Sequence, residues 1–94
     1  MTAFIALMRK EPSSDYGVDF PDFPGCVTAG QTLEEARKFA YEALGLHIEG
    51  MLEDGDSIPK PSSLDSIMQD PGNQEAVAFL VDIPYLSSEF AALM

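Results

Sequence analysis

Acidic side chains on strand-like segments are the residues of this chain whose type and spacing most invite a chemical role. Asp15, Asp19, Asp22 and Asp82 lie on or beside apolar runs. Carboxylates that converge within a few ångströms can hold divalent cations for phosphodiester hydrolysis. The alternation points elsewhere. Asp19 alternates with Val18 and Phe20, and Asp82 with Val81 and Ile83, so each falls on the wet face of its strand. A residual metal-dependent nuclease built on Asp19, Asp22 or Asp82 is one reading. Scattered surface acids account for the same pattern, and no metal or cofactor is expected.

The other chemically capable residues read as structural. His47, the only histidine, continues the apolar helix line of Ala40, Ala43, Leu44 and Met51. A general base needs a nucleophile within reach, and no serine or cysteine here has that context. Cys26 follows Gly25 at a turn with no base nearby in sequence to lower its pKa, so it reads as a small buried residue opening a strand. A single cysteine also excludes an internal disulfide and a cysteine-based zinc site. Ser62 and Ser63 after Pro61 are helix-cap residues before they are modification sites. No catalytic residue is assigned, and an enzyme is not expected.

Charge narrows the partner class. The chain carries 16 acidic and 5 basic residues among 94, a net charge of −11. The bases are Arg9, Lys10, Arg37, Lys38 and Lys60, and none follows residue 60. Nucleic-acid binding requires Lys and Arg to displace counterions from phosphates, so direct DNA or RNA binding is not expected. An acidic surface instead draws in a basic protein and speeds its encounter. No apolar run is long enough to span a membrane and the amino terminus lacks a basic signal-peptide start,, which makes the cytosol the expected compartment.

The elements that would position these residues can be placed by period and punctuation. Ala3 to Met8 is apolar on both alternating faces and reads as a central strand. Tyr16, Val18 and Phe20 form the buried side of a second strand, and Cys26 to Ala29 a third that ends at Gly30. Between them Phe20-Pro21-Asp22-Phe23-Pro24-Gly25-Cys26 is a rigid corner,. Thr32 is an N-cap with Glu35 completing a capping box. Leu33, Ala36, Ala40, Ala43, Leu44, Ile48 and Met51 then recur at helical period, to a stop near Asp54-Gly55. Ile58 to Pro61 is extended, a short helical turn runs to Met68, and Pro71-Gly72-Asn73 is a turn. Ala76 to Ile83 is the last strand, with Val77, Phe79, Val81 and Ile83 on one face. The expected fold is α+β, ordered β-β-β-α-(short α)-β: a small antiparallel or mixed sheet with helices on one face. Residues 1–84 form the domain; residues 85–94 form an apolar tail, with Ser87 to Met94 able to make a terminal helical turn.

These segments resemble the HicB family of antitoxins. The resemblance is carried by Tyr16 to Cys26, Thr28-Ala29-Gly30, Thr32-Leu33-Glu34-Glu35-Ala36, Glu42-Ala43-Leu44 and Ile58-Pro59-Lys60-Pro61-Ser62, and it extends from about Phe4 to Ile83. It implies a partly degraded ribonuclease-H-like fold that has lost its catalytic carboxylates. It further implies a binding module that neutralises a small basic mRNA-cleaving toxin of the HicA type by covering its active face. Many members continue into a ribbon-helix-helix or helix-turn-helix module. Operator binding is therefore not expected of this chain alone. Asp15, Asp19, Asp22 and Glu34 are the expected partner contacts. An exposed sheet edge and the apolar tail favour a homodimer or higher homo-oligomer, and an orphan oligomer without a toxin is the alternative reading.

Overall fold

In the computed structural model, which describes residues 2–84 and residue 86, the elements follow the expected order. They are β1 (Thr2–Arg9), β2 (Tyr16–Asp19), β3 (Val27–Gly30), α1 (Leu33–Glu53), α2 (Leu64–Met68), a 3-10 turn (Pro71–Asn73) and β4 (Val77–Ile83). The strands form one sheet of order β3-β2-β1-β4, and each pairing is antiparallel. The apolar tail Ser87 to Met94 lies outside the described residues.

The double apolar face of β1 decides the layering. Phe4, Ala6 and Met8 point to one side and pack with Ala36, Ala40, Leu44 and Ile48 of α1. Ile5 and Leu7 point to the other side, where Ile67 of α2 covers them. The helices thus occupy both faces, not one. A five-residue helix with one buried side chain has too little periodicity to declare its face,. Burial of Phe4, Leu7 and Leu44 contributes roughly 1.5–3 kcal/mol per side chain, and all three are fully buried.

The start of α1 is fixed much as its sequence suggests. The Thr32 hydroxyl accepts from the Glu35 N–H at 3.0 Å, while the Glu35 carboxylate reaches back to the Gln31 N–H at 2.9 Å. The return bond therefore lands one residue earlier than in the usual capping box. Leu33 does not join the buried stripe and is 54% exposed. In the first turn it precedes the rotation that brings Ala36 over the sheet. The helix ends at Glu53 with Asp54 as its C-cap, after which Gly55 takes φ +76°, the left-handed stop that glycine permits. On β4, Val81 and Ile83 are buried but Val77 at the far end is 66% exposed.

Candidate functional site

The corner between β2 and β3 is two successive turns. The Phe23 N–H donates to the Phe20 carbonyl and the Cys26 N–H to the Phe23 carbonyl, both at 3.0 Å. Gly25 has φ +89°, as the third residue of a Pro-Gly turn of the second type requires. The three-residue spacing turns Phe20, Phe23 and Cys26 inward together, and all three are buried. The Phe23 ring meets Phe4 edge-on at 4.8 Å and His47 edge-on at 5.7 Å. His47 is accordingly a half-buried packing residue. Burial pushes the Cys26 thiol up, away from the thiolate a nucleophile would need.

Among the sequence-selected acids, two are occupied inside the fold. Asp22 accepts from the Ser62 N–H at 2.9 Å and from the Ser62 hydroxyl at 2.5 Å, tying the corner to the extended segment in which Ile58 is buried. Ser63 alone caps α2. Asp19 accepts from Arg9 Nε at 2.8 Å. The same guanidinium donates to the Gly72 carbonyl at 2.7 Å and to Asn73 Oδ1 at 2.8 Å. The hydrogen bond with Asp19 holds the Arg9 pKa further above its ordinary value. The ion pair is largely solvent-exposed and contributes no more than about 1 kcal/mol; its role is to clip the 3-10 turn to β1 and β2.

Asp15 and Glu34 are exposed, and among the described residues neither carboxylate has a hydrogen-bond or ion-pair partner. The β2–β3 register pairs Tyr16 with Gly30 and Asp19 with Val27. Asp15 and the start of α1 therefore share one end of the sheet. Asp19 and Asp22 lie toward the other, roughly 13 Å along the strand at ~3.3 Å per residue. The expected contacts therefore do not form one cluster, and Glu34 lines a groove beside Phe79 to Asp82 of β4. Asp82 sits on β4, in a groove beside Arg37 and Lys38 of α1. Among the described residues no group of three or more His, Cys, Asp or Glu side chains could hold a metal ion. Ser62 lies 40 residues from Asp22 and the Gly72 carbonyl lies 63 residues from Arg9, so neither contact could be read from sequence, whereas Arg9 and Asp19 are 10 residues apart.

An Asp22→Ala variant is expected to lose about 1–3 kcal/mol, since it removes a charged acceptor and leaves the half-buried Ser62 N–H unpaired. Ser62→Ala, which keeps the backbone bond, should lose less. Urea unfolding of the two variants measures the difference, and equal losses would contradict the role given to the backbone bond.

Residues 4–90 match the family model described as the HicB-like antitoxin of bacterial toxin–antitoxin systems. A 14.9 kDa protein of Haemophilus phage HP1 is 43% identical over 74 residues, covering 79% of this chain and 56% of that protein. The crystal structure of the Burkholderia pseudomallei antitoxin HicB superposes with a TM-score of 0.80 at 32% identity, covering 88% of this chain and 64% of that one. A chain of the HicA3–HicB3 toxin–antitoxin complex superposes with a TM-score of 0.71 at 28% identity, covering 87% of this chain and 98% of that one. The chain thus spans about half the length of the phage relative and under two thirds of the Burkholderia antitoxin chain. No helix among the described residues is long and apolar enough to cross a membrane. By its segments, its fold and its family match, this chain belongs to the HicB-like antitoxin family.

Proposed function

We propose that this chain is an antitoxin-type binding module that neutralises a small basic mRNA-cleaving toxin of the HicA type by covering its active face, in the cytosol and without catalysis of its own. The observation that carries this reading is the likeness, over 87% of the chain, to a chain of a toxin–antitoxin complex. The net charge of −11 supports the same partner class, because a strongly acidic surface steers a basic protein and repels nucleic acid. Asp15 and Glu34 are the leading contacts, being exposed and free to meet a cation. Asp19 and Asp22 can contribute only through the field they share with Arg9 and Ser62.

Charge reversal tests the electrostatic part. Asp15→Lys with Glu34→Lys is expected to slow association with the basic partner several-fold at low salt and to flatten its salt dependence. Asp22→Asn should change the association rate far less. Stopped-flow rates across an ionic-strength series provide the readout. Rates and salt slope unchanged in the double reversal would remove Asp15 and Glu34 from the contact.

A further inference from the structure

The outward flank of α1 carries an apolar groove that the sheet does not use. The helix buries Ala36, Ala40, Leu44 and Ile48 against the strands, and a second stripe turns away from them. Tyr41, Gly45 and Leu46 line this groove over Ile83, between the carboxylates of Glu42 and Glu49. Leu46 is 70% exposed, the most exposed large apolar side chain among the described residues. Glu42, Leu46 and Glu49 are spaced by four and three residues, so they share one helix face with the leucine in the middle. Among the described residues neither carboxylate has a hydrogen-bond or ion-pair partner. Charge is also segregated along the helix. Arg37 and Lys38 lie in its first half; beyond them come Glu42, Glu49 and Glu53 with no lysine or arginine. The last turn of α1 has no base, so the negative end of the helix dipole adds to these acids.

We propose that this groove is the apolar anchor of the toxin-covering surface, and that it takes a basic amphipathic segment presenting a large apolar side chain between lysine or arginine residues. The inference rests on the antitoxin reading above and names the surface through which it acts. Charge selects the occupant. The groove is lined by two acids and no base, so a second copy of this chain, at a net charge of −11, is repelled. Residues 87–94 of the chain itself carry Glu89 and no base, and so offer nothing to pair with Glu42 and Glu49. A basic segment pairs with both while burying Leu46. The neighbouring groove beside β4 contains Arg37 and Lys38 and lacks this selectivity. Tyr41 lines both grooves and joins the anchor to Glu34, about 18 Å away along the helix at ~1.5 Å per residue. That span falls within a standard interface of roughly 800 Å² per partner. The leucine adds what acids alone cannot, a short-range contact that slows dissociation once charge has steered the encounter.

Stopped-flow binding of a small basic toxin of the HicA type to the full chain and its variants tests the inference. Leu46→Ala, at an exposed helical position, should leave the circular dichroism unchanged. It is expected to weaken binding about tenfold through faster dissociation, with the association rate little changed. Glu42→Gln with Glu49→Gln is expected to slow association several-fold at low salt, and this arm holds even if Leu46→Ala fails to fold. Val27→Ala, at a similarly exposed position on β3 outside the groove, should bind as the unsubstituted chain does. If the unsubstituted chain binds and both groove variants match its rates, the groove assignment is overturned and the antitoxin reading stands. If the unsubstituted chain does not bind, both fall. Unchanged toxin binding by Leu46→Ala with altered sedimentation would assign the groove to a second copy, and with a lowered unfolding midpoint to residues 87–94; either result would overturn the proposal.

Discussion

Phe23→Ala is expected to destabilise the fold by about 3–5 kcal/mol, the range for truncating a buried aromatic side chain. Phe23 is 2% exposed and its ring fills the space between Phe4 and His47. The site is poorly able to collapse around a smaller side chain. Its backbone is held on both sides, the N–H by Phe20 and the carbonyl by Cys26, and the corner is held again by Asp22 and Ser62. A cavity should remain, which places the loss in the upper part of that range. Phe23→Leu, which retains most of the volume, should lose clearly less. Guanidinium unfolding with unchanged m-values provides the measure, and a loss below about 1 kcal/mol for Phe23→Ala would show that the corner is not a packed part of the core.

Gly30→Ala is expected to cost about 3 kcal/mol, at the upper end for overpacking a tight site. A Cβ there would strike the Ala36 backbone nitrogen and come within 2.8 Å of the Ala36 Cα. Backbone cannot rotate aside as a side-chain tip can, so β3 and the start of α1 would have to separate. Gly50 supplies the contrast, for a Cβ there meets nothing within 4 Å. Gly50→Ala lies inside α1 and should stabilise by up to about 1 kcal/mol. The two glycine substitutions should therefore move the unfolding midpoint in opposite directions. A shift in the same direction for both would contradict the close approach at Gly30.

Much of this architecture is legible in the residues themselves. Strand alternation at Tyr16-Val18-Phe20, the Pro-Gly corner, the Thr32 cap and the Ala-rich helical stripe are local signals, and each element forms where its signal lies. What is not legible depends on contacts distant in sequence. The apolar second face of β1 announces that something must cover Ile5 and Leu7, but α2 carries only Ile67 to do it, too little to reveal its side of the sheet. Asp19 and Asp22 read as free acids because nothing in the sequence shows Arg9 or Ser62 beside them. Gly30 reads as a strand end, and only the packing of α1 makes it sterically required. An exposed sheet edge is expected from the sequence, but which strand forms it, and the gathering of Arg37 and Lys38 beside β4, follow from the packing.

The acidic composition, the family match and the likeness to a chain of a toxin–antitoxin complex support the central proposal, that this chain silences a small basic ribonuclease by binding it. The direct test titrates the purified chain into an mRNA-cleavage assay of a small basic toxin of the HicA type. The expected result is cleavage that falls in proportion to added chain and stops at a stoichiometric ratio, with inhibition weakened by Asp15→Lys and Glu34→Lys. Cleavage that continues unchanged in a large excess of the chain would contradict the account.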